Sequence, residues 1–100
     1  MVFYESRDEM LGQQRAKIDQ IDTQLVKLFE ERMKVVEEII DIKIGLNMDI
    51  LDSSRESKVI ETAVSRLENP ELASETREFF TELMSISRNY QAKIRQNKLN

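Results

Sequence analysis

The sequence contains no cysteine and no histidine, and it has only two glycines and one proline in 100 residues. Without cysteine and histidine, the chain has no thiol or imidazole nucleophile, no Cys/His zinc site and no acid–base chemistry by histidine. Glycine and proline interrupt regular helices, so their scarcity favours long helices joined by few turns. We therefore expect an almost entirely helical chain.

Further absences narrow the class of protein. The net charge is −4, whereas nucleic-acid binding favours a basic surface, so we expect no nucleic-acid partner. No apolar run approaches the length of about 18 residues that a membrane-spanning helix needs, so we expect no membrane partner. The start, MVFYESRDEM, lacks the basic and apolar segments of a secretory signal. We expect one soluble cytoplasmic domain over residues 1–100.

The pattern of helix signals predicts a very long first helix. Ser6 followed by Glu9 resembles a capping box, so this helix should begin near Arg7. The helical pattern then runs unbroken to Lys43 or Ile44. About 38 residues, each with a rise of about 1.5 Å, give a rod of about 57 Å. Such a rod is long beside the radius of gyration of about 13 Å expected for a compact chain of this size.

Two shorter helices are predicted after a loop over residues 45–52, which opens with glycine and asparagine stop signals. Ser53 with Glu56 resembles a second capping box, which predicts a short helix ending near Leu67. The pair Asn69–Pro70 combines an N-cap residue with a first-turn proline. This pair predicts the start of a third helix.

One face of the first helix is apolar. Steps of three, four and seven residues define this apolar stripe, whose members are Leu11, Ile18, Ile21, Leu25, Leu28, Val35, Ile39, Ile42 and Leu46. The two shorter helices cannot cover a stripe of this length, so we expect a second copy of the chain to pack along it. The prediction is an intertwined homodimer. An elongated coiled coil without a pocket is the alternative.

Three cations, Arg15, Arg32 and Lys43, fall on or beside the apolar stripe. Burying a cation is costly unless an anion meets it, so together they indicate a pocket for a small, highly anionic molecule. Arg32 and Lys43 point the same way, about 16 Å apart along the axis. Arg15 lies about 25 Å from Arg32 and is turned by roughly 100°, so it reaches such a ligand only in an antiparallel partner. Alternatively, each cation extends into solvent or pairs with a neighbour such as Glu31 or Asp19.

Short motifs follow one another along the chain. The first helix carries R-x-x-I-D-x-I-D from Arg15 and R-M at residues 32–33, and Lys43 follows eleven residues after the second arginine. The motif D-x-x-R-E then ends at Glu56, and S-R-x-Y-Q ends at Gln91. In this order and with these gaps, the motifs resemble those of the all-helical chorismate mutases of the stand-alone bacterial type.

The resemblance covers about residues 11–92 and leaves residues 1–6 and 96–100 as expected frayed ends. It implies an all-α fold with three helices per chain in an intertwined homodimer. It also implies an isomerase that converts chorismate to prephenate by an intramolecular Claisen rearrangement, in the synthesis of phenylalanine and tyrosine. This reaction needs no cofactor and no metal, which fits a chain without cysteine and histidine.

The resemblance assigns roles to the three cations and to one amide. Arg32 binds one carboxylate of the substrate, and Arg15 from the partner subunit binds a carboxylate in the same site. Lys43 contacts a carboxylate and the ether oxygen, and Gln91 donates a second hydrogen bond to that oxygen. Catalysis then depends on holding the reactive conformer and stabilising the charge that develops on the ether oxygen.

Four further residues bind substrate by the same resemblance. Glu56 and the region of Asp52 hold the ring hydroxyl, Ser87 lies near a carboxylate, and Arg55 supports the cluster. The resemblance also implies an apolar wall formed by Ile39 and Met84.

Several alternatives stay open on the sequence alone. Glu56 also fits a capping box with Ser53, which would explain it without a substrate. Arg88 stands where some members of the family have an apolar wall residue, so the pattern assigns it no role. An isochorismate–pyruvate lyase shares the fold and a cationic pocket. A non-catalytic helical dimer that regulates a shikimate-pathway enzyme is the alternative from a different class.

Overall fold

The computed structural model describes residues 3–99 and contains three α-helices and one short 3-10 helix, with no strand in that range. In chain order these are α1 (Phe3–Gly45), α2 (Ser53–Ser65), the 3-10 helix (Pro70–Leu72) and α3 (Ala73–Leu99). The predicted all-α fold, with three helices and a very long first one, is confirmed. Within the described range, no helix is long and apolar enough to span a membrane.

The start of α1 differs from the sequence prediction. The helix begins at Phe3 instead of near Arg7, so Ser6 lies within the helix and not at its N-cap. The side chain of Ser6 lies outside those that the structure describes. No glycine or proline in residues 3–9 interrupts the helix, and serine is tolerated in a helix interior. The predicted capping box at this end was therefore wrong.

The C-terminus of α1 is closed by a Schellman motif. The amide of Asn47 donates to the carbonyl of Ile44 at 3.2 Å, and the amide of Met48 donates to the carbonyl of Lys43 at 2.8 Å. Asn47 has a left-handed φ of 54°, which asparagine adopts more readily than most residues. The predicted stop of the helix is confirmed, and the motif fixes the backbone of Lys43.

The N-terminus of α2 is capped by Asp52. Its carboxylate accepts a hydrogen bond from the amide of Arg55 at 3.0 Å, which satisfies one of the free amides of the first turn. Ser53 is consequently the first helical residue, and the predicted capping box of Ser53 with Glu56 was wrong. Aspartate and serine are both good N-cap residues, and the chain uses the earlier one.

The third helical segment starts where the sequence predicts. The side chain of Asn69 accepts from the amide of Glu71 at 3.1 Å, and Pro70 occupies the first turn. This first turn is a 3-10 helix, and the α-helix begins only after it. Residues 96–99 are helical, and Asn100 lies outside the described residues, so the frayed end expected over residues 96–100 stays a prediction.

The chain divides into two compact units, Met1–Lys34 and Val35–Asn100. The described part of the first unit is helix α1 alone, and nearly all of its side chains are exposed. The second unit has a small core of Val36 and Ile40 from α1 and Met84 from α3, while α2 packs on α3. The single domain predicted over the whole chain stays a prediction.

The apolar stripe of α1 is exposed along its length. Its nine members have between 39% and 65% of their surface accessible. Among the α1 side chains that the structure describes, from residue 7 onward, the buried ones are instead Val36 and Ile40, which the stripe omits. The members of the stripe are therefore not the α1 residues that the single chain buries.

Candidate functional site

Helix α3 turns two polar side chains toward the core of the second unit. Ser87 and Gln91 are the buried polar residues of the described chain, and they share one face of α3 with the buried Met84. The hydroxyl of Ser87 donates to the carbonyl of Leu83 at 2.9 Å. Polar side chains are seldom buried without a reason, because their desolvation opposes folding. This face of α3 therefore marks a candidate site.

The amide of Gln91 has an unfilled hydrogen-bonding capacity. Its Oε1 atom is buried and accepts no hydrogen bond from any described residue. An unsatisfied buried acceptor costs about 1–3 kcal/mol, so it calls for a functional explanation. A bound polar molecule is such an explanation, because an amide donates and accepts at the same time.

Lys43 points into the loop that follows α1. It is half-buried, and its ammonium donates to the carbonyl of Ile50 at 2.7 Å. An ammonium has three donors, so this bond leaves two for a ligand. The Schellman motif fixes the backbone of Lys43 and the loop carbonyl holds its ammonium, which together give the cation a defined position.

The same loop is held from α3. The guanidinium of Arg95 donates to the carbonyl of Met48 at 2.6 Å. Two carbonyls of the loop over residues 46–52 therefore accept hydrogen bonds, that of Ile50 from Lys43 and that of Met48 from Arg95. Nothing in the local sequence marks Arg95, because a contact between α3 and a residue 47 positions earlier leaves no local pattern.

Glu56 and Arg88 form an ion pair between α2 and α3. The pair is partly buried, with side-chain exposures of 21% for Glu56 and 34% for Arg88. Glu56 is therefore engaged by a cation of another helix and not by Ser53, so the capping alternative is excluded. Arg88 follows Ser87 directly, which places the pair beside the polar face of α3.

The remaining candidates of the second unit are more exposed. Asp52 and Arg55 both lie on the surface at the start of α2. The carboxylate of Asp52 caps the helix through the amide of Arg55, so it already has a structural role. Ile39 is also exposed, whereas the other predicted wall residue, Met84, is buried.

The two arginines of the first helix lie in the first unit of the chain. Arg15 is exposed and Arg32 is half-buried. The other candidate residues, from Lys43 to Gln91, belong to the second unit. The roles of both arginines stay predictions that rest on the motif pattern.

The second unit thus contains fixed charges, hydrogen-bond donors and buried polar groups. Lys43 is an oriented cation, Gln91 is a buried amide with an unfilled acceptor, and Glu56 with Arg88 forms a partly buried ion pair. Such groups act by orienting a polar substrate and by stabilising charge that develops during a reaction. The fold and these groups define an all-helical protein with a candidate site for a small polar molecule.

A comparison with known families identifies this protein more closely. The family model described as chorismate mutase type II matches residues 14–92, which is most of the chain. The chain therefore belongs to the chorismate mutase type II family, and the resemblance drawn from its motifs is confirmed. A search of curated proteins found no match.

Proposed function

We propose that this protein is a chorismate mutase, which converts chorismate to prephenate for the synthesis of phenylalanine and tyrosine. The family match over residues 14–92 is the observation that carries the proposal. The buried polar face of Ser87 and Gln91 supports it, because a helical bundle without a ligand has little use for such a face.

The reaction requires orientation and electrostatics from the protein. One carbon–oxygen bond breaks and one carbon–carbon bond forms within the same molecule, so no proton or covalent intermediate passes through the enzyme. Lys43 and Gln91 donate hydrogen bonds to the ether oxygen, where negative charge develops. A preorganised donor at such a position contributes about 2.7–4 kcal/mol to catalysis, so two donors account for a large part of a rate enhancement.

The substrate is a dianion, and the proposal assigns its carboxylates to the cations. Arg32 binds one carboxylate, and Arg15 of the partner subunit binds a carboxylate in the same site. Ser87 lines the site near a carboxylate. This arrangement holds chorismate in its compact, reactive conformer, which lowers the entropic part of the barrier.

The start of α2 is proposed to bind the ring hydroxyl. Glu56 accepts a hydrogen bond from this hydroxyl, and the region of Asp52 contributes to the same contact. The carboxylate of Asp52 caps α2, so its part in the site is to hold the helix start in place. Arg55 adds a supporting positive charge to the cluster.

An intertwined homodimer is part of the proposal. Monomeric proteins rarely expose contiguous apolar patches of more than a few hundred Å², and the nine members of the apolar stripe are 39–65% exposed in the single chain. A second α1 that runs antiparallel along the stripe covers these side chains and brings Arg15 to the site of the other chain.

Single substitutions in α1 test the dimer. Leu25 is 48% exposed in the single chain, so Leu25→Glu should leave a monomer unperturbed but should disrupt a dimer that buries it. Lys27→Glu, at an exposed position that points away from the stripe, is the matched control and should remain dimeric. Light scattering after gel filtration measures the mass of each variant. A native chain that elutes as a monomer would refute the dimer.

The activity is tested by incubating the purified protein with chorismate and following the loss of its ultraviolet absorbance. Turnover that depends on enzyme concentration, with prephenate as the product, is the expected result. A protein that binds no chorismate and does not accelerate its rearrangement would support the non-catalytic alternative instead.

A further inference from the structure

The ion pair of Glu56 with Arg88 lies among the residues proposed to bind substrate. Arg88 directly follows Ser87 and stands three residues before Gln91, and its partner is the residue proposed to bind the ring hydroxyl. The family resemblance leaves Arg88 without a role. The contact of Arg88 with the carboxylate of Glu56 is therefore not explained by the family pattern.

We propose that Arg88 is a positioning residue, which holds the carboxylate of Glu56 in the orientation that accepts the hydrogen bond of the substrate's ring hydroxyl. The proposal rests on the proposed function. Nη1 of Arg88 donates to Oε1 of Glu56, and a carboxylate keeps acceptor capacity on its second oxygen. The terminal torsion of glutamate is broad, so a fixed partner for one oxygen restricts the direction in which the other points.

Partial burial distinguishes this pair from an ordinary surface contact. A second ion pair, Arg77 with Glu61, also joins α3 to α2, but its side chains are 48% and 61% exposed. Exposed pairs hold their side chains weakly, because water screens the attraction and the side chains retain their freedom. With exposures of 34% and 21%, the pair of Arg88 and Glu56 is the better restrained, as a positioning role requires.

The two ion pairs supply a matched experiment. Arg88→Met and Arg77→Met make the same substitution in the same helix, and each breaks one contact with α2. We expect Arg88→Met to lower kcat/KM for chorismate by about 10- to 100-fold, the range for losing a hydrogen bond between charged groups. Arg77→Met should stay within about twofold of the native enzyme. Arg88→Lys should recover most of the loss, because its ammonium retains a donor for Glu56.

Two further measurements separate positioning from a structural effect. In a Glu56→Gln background, Arg88→Met should add little further loss, because the two residues act as one unit. The second measurement uses a chorismate analogue whose ring hydroxyl is methylated, tested as a substrate or as a competitive inhibitor. The loss caused by Arg88→Met should be at least about threefold smaller for this analogue, which cannot donate to Glu56. A general disturbance of the fold would affect both compounds equally.

The outcomes distinguish this inference from the proposed function. If the native enzyme converts chorismate but Arg88→Met behaves like Arg77→Met, Arg88 has no positioning role and the inference is overturned. Equal losses for chorismate and the methylated analogue, or additive losses with Glu56→Gln, would overturn it as well. If the native enzyme itself is inactive, the proposed function fails and this inference fails with it. Should circular dichroism show Arg88→Met to be unfolded, the comparison of the two compounds is made with Arg88→Gln, which keeps a polar side chain but removes the charge, and equal losses again overturn the inference.

Discussion

Replacing Lys43 with methionine separates the structural role of this residue from its proposed catalytic role. Methionine keeps most of the length of the side chain and removes its charge and its donors. In the free protein, the substitution removes one partly buried hydrogen bond, from Nζ to the carbonyl of Ile50 at 2.7 Å. A bond of this kind contributes about 0.5–1.5 kcal/mol to the free energy of unfolding. The melting temperature should therefore fall by only about 2–12 °C.

The expected effect on catalysis is larger than the effect on stability. Loss of one preorganised donor at a developing negative charge raises the barrier by about 2.7–4 kcal/mol, so kcat should fall by about 100- to 1,000-fold. Unfolding cannot mimic this result in a variant that melts well above the assay temperature. A severe loss of kcat in a folded, dimeric Lys43→Met would thus support the role at the ether oxygen.

Arg95→Met is the matched control, because Arg95 binds the same loop through the carbonyl of Met48. It should lower stability to a similar extent as Lys43→Met, whereas kcat should stay within a fewfold of the native value. The assay is initial-rate kinetics on chorismate, with circular dichroism melting for each variant. A Lys43→Met enzyme with near-normal kcat would refute the catalytic assignment. Equal losses of kcat in both variants would assign the effect to the loop and not to the cation.

Three other predictions concern subunit sharing and pH. Inactive Arg15→Ala and Lys43→Ala chains, when mixed, should regain roughly a quarter of native activity, because about half of all dimers are hybrids with one intact site; inactive hybrids would argue against a shared arginine. Gln91→Glu should be active at low pH, because only the protonated carboxyl donates a hydrogen bond. Its activity should fall as pH rises through the pKa of the new carboxyl, which is about 4.3 when exposed and higher when buried. A flat profile of activity against pH would oppose the donor role of Gln91. The hydrogen bond to Glu37, with some desolvation and the nearby negative charge, raises the pKa of Tyr90. Glu37→Ala should therefore lower the ionisation midpoint of Tyr90 toward about 10 in an ultraviolet titration, with Tyr90→Phe as the reference. An unchanged midpoint would refute the contribution of Glu37.

Local signals in the sequence were sufficient for the number of helices and for two of their ends. Asn69 and Pro70 identified the start of the third helical segment, since a cap and a first-turn proline act within a few residues. Asn47 identified the end of α1 in the same way. The misplaced N-cap of α2 arose because Asp52 and Ser53 are adjacent residues of similar capping strength. Only the position of the preceding loop decides between them.

Contacts between helices could not be predicted in the same way. The ion pair of Glu56 and Arg88 joins residues 32 positions apart, and no local pattern encodes such a distance. The periodicity of α1 also did not identify the α1 residues that the single chain buries, Val36 and Ile40. Val36 follows Ile18 of the stripe by 18 residues, which is five full turns, so periodicity alone does not say which apolar residues of α1 the single chain buries.

The most direct test of the account is product identification with the purified native protein. Chorismate and prephenate have the same mass, so the product is identified by nuclear magnetic resonance, and isochorismate is tested in parallel for release of pyruvate. Under the proposed function, chorismate is converted to prephenate, Lys43→Met abolishes most of this conversion, and isochorismate yields no enzyme-dependent pyruvate. Pyruvate release from isochorismate without prephenate formation from chorismate, or no turnover of either compound, would contradict it.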